Sequence, residues 1–269
     1  MEKLTVIKVG GKIVEDAQSL SSLLSAFSTI EGHKVLVHGG GRSATKTASL
    51  LGIDTVMVGG RRVTDEAMLD VVTMVYGGLV NKRIVAKLQA LGINALGLTG
   101  ADMNVMHSIR RKPVMVSASV AGTDHDQLID YGFVGDVDRC DGKMLSTLIA
   151  EGVVPVMAPL THDGNGNLLN TNADTIAGET AKALAPYFDV TLVYCFEKAG
   201  VLLDENDDTS VIPNIDRASF ERFVEQGVIS GGMIPKIQNS LSACRAGVKE
   251  VVITNASGIG LPGGTVITI

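Results

Sequence analysis

The chain has no tryptophan, 4% aromatic residues, three cysteines and seven prolines in 269 residues. With so few rings, the core has to come from Val, Ile, Leu, Ala and Met. Cys140, Cys195 and Cys244 are odd in number and widely spaced. No C-x-x-C exists, which argues against a zinc site or disulfide framework and for free thiols in a reducing compartment. No apolar run approaches the ~20 residues of a membrane span. A strand pattern starts at Leu4, leaving no signal-peptide shape before it, so the expected location is the cytoplasm. The net charge of -6 and the absence of any basic tract longer than Arg110-Arg111-Lys112 disfavour nucleic acid and anionic membrane as partners. Familiar nucleotide motifs are missing too. Asp141-Gly142-Lys143-Met144 lacks the hydroxyl residue of a Walker A loop. The G-x-G-x-x-G at 258–263 carries Pro262 and leads into a strand, not the helix a dinucleotide site needs.

What is present is an apolar fraction of 45%, only 19% charged residues, and 31 glycines, many in pairs and triplets. Short β-branched runs alternate with helical spacing. Leu4 to Val9 reads as a strand ending in Gly10-Gly11. Ala17 to Ile30 reads as a helix, and Lys34 to Val37 as a strand ending in His38-Gly39-Gly40-Gly41. This opening predicts a parallel, helix-covered sheet. Val56 to Thr64 predicts a hairpin about Gly59-Gly60. A long helical stretch over 65–91 is expected to break near Gly77-Gly78, and 103–139 reads as a β-rich insert. The second half repeats the style, with helices over 170–185, 218–226 and 233–246. The expected fold is α/β: a three-layer α/β/α sandwich on an open, mainly parallel sheet, a single domain of two lobes, 1–165 and 166–269.

Three places favour phosphate. Lys8 ends an apolar strand directly before two glycines, and a lysine there is costly to bury without an anion. The triplet Gly39-Gly40-Gly41 at a strand-to-helix junction makes a nest of backbone N–H groups. Ser230-Gly231-Gly232-Met233-Ile234-Pro235-Lys236 opens a helix with small residues and a cation. In Asn170-Thr171-Asn172-Ala173-Asp174, the Asn and Asp residues suit a helix cap. They also suit a role in which Asp174 sits between the lysines and an Asn amide meets a carboxylate. Arg62, at the end of the hairpin, has the fork geometry to clamp a carboxylate.

In this order, these strings resemble the amino acid kinase family, together with Gly60-Arg61-Arg62-Val63-Thr64-Asp65 and the run Asp130-Tyr131-Gly132-Phe133-Val134-Gly135-Asp136-Val137. The likeness is to its acylglutamate kinases. The resemblance implies transfer of the γ-phosphoryl of ATP to the side-chain carboxylate of an N-acyl-L-glutamate, such as N-acetyl-L-glutamate, in the second step of arginine biosynthesis. It implies that Lys8 and Lys236 stabilise the moving phosphoryl group and that Asp174 organises both. Gly40, Gly41, Arg62 and Asn170 would hold the substrate. Gly10, Gly11, Lys198, Gly200, Ser230 and Gly231 would serve the nucleotide. Magnesium would arrive with ATP, held by phosphates and water, with no protein cage. The N-lobe would bind the acyl amino acid and form a homodimer through Met68, Leu69, Val72 and Met74. The C-lobe would bind ATP. With strand one starting by Leu4, no extra N-terminal helix is expected and arginine would not inhibit. Non-catalytic binding by the same fold and an acylaminoadipate substrate are the alternatives. Arg42 and Lys46, just after the glycine nest, would suit an acyl group ending in a second carboxylate, such as succinyl.

Overall fold

Alternation along the first strand sets up the molecule. In the computed structural model, which describes residues 1–120 and 123–269, β1 spans Lys3–Val9. Leu4 and Val6 enter one core and Ile7 and Val9 the other, because successive strand side chains point to opposite faces. A strand buried on both sides reads as a continuous apolar run and belongs in the middle of a parallel sheet. There β1 lies, paired in parallel with β2 (His33–His38) on one side. The remaining strands of this sheet are β3 (Ala95–Leu98), β4 (Val154–Met157), β5 (Asp189–Phe196), β6 (Asn214–Ile215), β7 (Glu250–Asn255) and β8 (Thr265–Ile267). Their spatial order is β6-β8-β7-β5-β1-β2-β4-β3. All neighbours are parallel except β7 and β8. Strands from before residue 165 fill one half of the sheet and later ones the other half.

Helices cover both faces: α1 (Gly11–Glu15), α2 (Ala17–Thr29), α3 (Gly41–Leu50), a long composite α4 (66–90), α5 (Gly142–Ala150), α6 (Ala173–Leu184), α7 (Arg217–Glu225) and α8 (Met233–Arg245). The expected break in α4 does not occur. Residues Thr73–Val80 form a π-helical stretch, and the helix continues on either side of it. The cause is written in the spacing. Met68, Val72, Tyr76, Val80, Ile84 and Leu88 are all buried and recur every four residues. In a pure α-helix a four-residue step drifts about 40° off one face. Wider π turns cancel that drift and keep the stripe on the core. The expected helix over 170–185 is also shorter. Asn170 ends a strand, Leu168–Asn170, and Asn172 caps α6 by accepting from the backbone N–H of Asp174 and Thr175. Gly11 opens a short helix in place of a simple turn.

The hairpin at 57–62 forms as expected, with Gly59 and Gly60 at φ 53° and 74°. The insert over 103–139 supplies two strands of a small sheet and a separate hairpin, Val114–Val120 with Thr123–Ile129. Ala121 and Gly122 of that insert lie outside the described residues. Met68 and Val72 are in the core and unavailable to a second subunit, whereas Met74 and Leu79 are exposed.

Candidate functional site

The carboxyl ends of β1, β2 and β5 lie side by side, which brings three expected groups together. Lys8 shares its strand face with Leu4 and Val6, the face that α6 covers. Asp174 is the second residue of α6, so the strand lysine and the helix carboxylate meet. Lys8 Nζ lies 2.8 Å from Asp174 Oδ1, and its side chain is 11% exposed. A carboxylate in the first turn of a helix is also favoured by the helix dipole. Lys236, from the first turn of α8, approaches the same place from the other half of the chain. Its Nζ stands 4.0 Å from the centroid of Phe196, and Lys8 Nζ stands 5.4 Å from the same ring. Both cations lie close to this one ring at the end of β5. Burial lowers the pKa of Lys236, Asp174 opposes this, and the charge of Lys8 adds to the lowering. Tyr194 stacks on Phe196 at 6.0 Å and donates from its hydroxyl to the backbone carbonyl of Asp174. Phe196 was not among the expected site residues; no motif marks it.

The two glycine segments face each other because β1 and β2 are adjacent and parallel. A Cβ on Gly11 would lie 3.8 Å from the backbone nitrogen of Gly41, and one on Gly39 only 3.3 Å from that of Gly11. Gly10 stands between β1 and α1. At Gly40 a Cβ would meet the Tyr76 ring at 2.9 Å, so only glycine fits beneath the π-helical stretch.

Next to them, Arg62 is buried and held in place through both terminal nitrogens. Its Nη2 donates to Gly41 O and Thr45 Oγ1, both at 2.8 Å, and its Nη1 to Thr55 Oγ1 at 3.2 Å. Burial raises the pKa of the Tyr76 phenol, while the neighbouring Arg62 pulls it back. Asn170 Nδ2 donates to Thr64 Oγ1 at 3.0 Å, and Thr64 Oγ1 to the carbonyl of Arg62. His38 is fully buried below the nest. Its ring nitrogens contact Gly39 O and the Asn81 amide nitrogen, so the imidazole is a neutral scaffold whose pKa is pushed down to about 4 by burial.

These groups line one continuous cleft of three chambers. The first, with about 650 Å³ of open space, is lined by the glycine triplet, Arg62, Tyr76 and Asn170. The second holds Asp174, Tyr194, Phe196 and Lys236. It shares Gly60, Arg61 and Asn172 with the first. The third, sharing Phe196 and Lys236 with the second, contains Lys198, Gly200 and Ser230. Gly10 and Gly11 line a side pocket with Lys12, Arg42 and Glu197, and the latter three carry opposite charges at its rim. Not every expected nucleotide residue is free for a ligand. Lys198 is paired with Asp208 at 2.6 Å. Gly200 is packed tightly, its missing Cβ 2.7 Å from Thr265 Oγ1. Gly231, at φ 52°, shapes the turn into α8 and does not line the third chamber. Arg42 stays outside the first chamber. It lines the side pocket and an adjoining cavity with Lys46, Thr45 and Leu50, which the first chamber meets at Gly41, Met57 and Arg62.

The likeness to known proteins agrees with this layout. The sequence pattern of the amino acid kinase family matches residues 3–255. An acetylglutamate kinase of Bacteroides fragilis is 69% identical over 264 residues, covering 98% of this chain and 96% of its own. One of Bacteroides thetaiotaomicron is 68% identical over 258 residues, 96% and 95% of the two chains. Among solved structures, a Streptococcus mutans UA159 protein superposes with a TM-score of 0.74 at 28% identity, over 98% of both chains. With the fold, the family's strings in register and relatives at this identity, the chain belongs to the amino acid kinase family.

Proposed function

We infer that this chain transfers the γ-phosphoryl of ATP to the side-chain carboxylate of N-acetyl-L-glutamate, the phosphorylation step of arginine biosynthesis. The observation that carries this reading is the placement of Asp174 and Lys236 in the chamber between two others, with Lys8 paired to Asp174. One of those presents Arg62 and Asn170 and the other Ser230. Relatives named for this activity, at 69% and 68% identity, support it.

The chemistry asks little covalent help of the protein. A carboxylate oxygen of the acceptor bonds to the γ-phosphorus, and the bond from that phosphorus to the bridging oxygen breaks. The electron pair stays on the departing ADP. The acceptor is already ionised near neutral pH, so no proton moves and no general base is needed. What the reaction requires is that two anions be held together and that charge on the equatorial oxygens be neutralised. Lys8 and Lys236 supply positive charge from two sides, and Asp174 fixes the first of them in place. The facing glycine segments let backbone N–H groups approach the phosphoryl group. Arg62, held by α3, is placed to hold the substrate's α-carboxylate, with the Asn170 amide in the same chamber. The first chamber is lined mainly by residues of 1–165, joined by residues 170–173, and the third by residues of 166–269, an arrangement that suits the acyl amino acid in the former and ATP in the latter.

Magnesium enters as part of the nucleotide substrate. Among the described residues no three His, Cys, Asp or Glu side chains cluster to cage a metal, and phosphates with water are its usual ligands beside nucleotides. No helix among the described residues is long and apolar enough to cross a membrane. The functional unit is assigned as a homodimer.

The test is ADP release with N-acetyl-L-glutamate in a coupled assay, with formation of the acyl phosphate trapped as its hydroxamate. Turnover without the acceptor, or none with it, would refute the reading. One observation favours a second acceptor. The cavity bearing Arg42 and Lys46 opens from the substrate chamber beside Arg62. An acyl group with a terminal carboxylate would reach it, so N-succinyl-L-glutamate belongs in the same assay. An Arg42→Ala variant that leaves the ratio of kcat/KM for the two acceptors unchanged removes this second reading.

A further inference from the structure

Arg61 and Arg62 are neighbours on one short strand, and only Arg62 is accounted for. Adjacent strand residues point opposite ways. Arg62 turns toward α3 and is held there by Gly41 O and Thr45 Oγ1. Arg61 turns over the cleft. It is partly buried, and among the described residues its guanidinium has no hydrogen-bond or ion-pair partner. The carboxylate closest to serving it, Asp136, is bound by Arg111 at 2.5 Å. A guanidinium withdrawn from water without an anion is a costly arrangement. Burial and the nearby Arg111 both act against its charged state, which guanidinium nevertheless keeps at any ordinary pH. The hairpin that carries it is anchored, because Tyr131 donates from its hydroxyl to the carbonyl of Val58. The position of the charge is therefore defined by the fold.

Its location is informative. Arg61 lines the chamber of Arg62 and Asn170 and also the chamber of Asp174 and Lys236. The acceptor carboxylate and the γ-phosphoryl would meet at that junction. We propose that Arg61 is a third cation of the transfer step, its guanidinium donating to equatorial oxygens of the phosphoryl group as the new P–O bond forms and the bridging bond breaks. This rests on the functional reading given above. Lysines provide point charges, whereas an arginine presents a planar fork that engages two oxygens together. A group that binds most tightly in the transition state raises kcat and leaves substrate affinities largely unchanged.

The experiment compares wild type, Arg61→Ala, Arg61→Met and Arg61→Lys in the coupled assay. It also measures affinity for ADP with aluminium fluoride and magnesium in the presence of N-acetyl-L-glutamate, a mimic of the transferring phosphoryl group. The expected result is a fall in kcat of about a hundredfold for Ala and Met. KM for both substrates should stay within about threefold, the mimic should bind correspondingly more weakly, and Lys should restore part of kcat. In this outcome circular dichroism matches wild type and melting equals or exceeds it, since Arg61 holds no other element and its charge is partly buried without an anion. An active wild type equalled by Arg61→Ala overturns the inference alone. So does a rise in KM for the acyl substrate with kcat unchanged, or an effect confined to the ratio of two acyl substrates. Wild type inert toward N-acetyl-L-glutamate would overturn the functional reading, and this inference with it.

Discussion

Replacing Lys236 by methionine should separate activity from stability. The ammonium group stands over Phe196, partly withdrawn from water, and burial is the largest cause of its lowered pKa. For phosphoryl transfer its charge is an asset. At about 4 Å and an effective dielectric near 20, attraction between unit charges is about 4 kcal/mol. Discounted for solvent, about 3 kcal/mol remains, so kcat should fall by about a hundred- to a thousandfold. For folding the same charge is a burden. A lysine whose folded pKa lies below its usual 10.5 destabilises the fold while it is protonated in both states, and this penalty is relieved as pH rises from the folded pKa toward 10.5. Methionine keeps the stem and removes the charge. It also gives up the cation–π contact, about 0.5–1 kcal/mol. Lys236→Met should therefore melt within about 3 °C of wild type or above it at pH 7.5. Any advantage should shrink as the pH approaches 10.5. The measurements are steady-state kcat and calorimetric melting on the same preparations. Turnover within tenfold of wild type would refute the catalytic assignment. A melting temperature lowered by about 6 °C or more would show the charge to be structural.

Arg62→Ala should raise KM for the acyl amino acid at saturating ATP by about ten- to a hundredfold, the worth of one charge-assisted bond; an unchanged KM removes the clamp. Arg62→Lys should recover little of this, because the fork that reaches Gly41 and Thr45 is lost. Acid should destabilise the fold through His38, whose pKa is pushed down to about 4. Unfolded chains take up a proton near pH 6.5 and the native state does not, so stability is lost as pH falls from about 6.5 to 4, by about 3 kcal/mol. Urea melts of wild type and His38→Gln at pH 7.5 and 4.5 check this, and an equal loss in both proteins sinks it. Met74→Glu combined with Leu79→Glu should halve the mass seen by light scattering if the exposed face of α4 joins two subunits; an unaltered mass moves the interface elsewhere.

Much of this architecture is legible from local chemistry. Strand ends are marked by glycine clusters, and Lys8 stands out because a cation in an apolar strand needs a partner. Its placement beside Asp174 follows from alternation along β1 and the cap at Asn172. Other features are legible only with the right question. The strict four-residue spacing from Met68 to Leu88 encodes the π-helical stretch, yet Gly77-Gly78 suggests a break. Phe196 and Arg61 act through their position at the meeting of distant segments, which no local pattern reports. Lys198 and Gly200 show the reverse. One is absorbed by a salt bridge with Asp208 and the other by packing against Thr265, demands that arise only once the chain is folded.

The seam between the lobes runs between β1 and β5, where seven consecutive residue pairs are in register, from Lys3 with Asp189 to Val9 with Cys195. A boundary of that kind is a weld and not a hinge. Any movement that admits ATP or releases ADP then falls to local segments such as the turn before α8, over a stiff plate. The same weld ties the fates of the halves. Cutting the chain near residue 165 would leave β1 as a bare edge strand of apolar residues with its hydrogen bonds unmade, a template for sticking to copies of itself. Each lobe thus acts as the other's protection against aggregation, and neither is expected to survive expression alone.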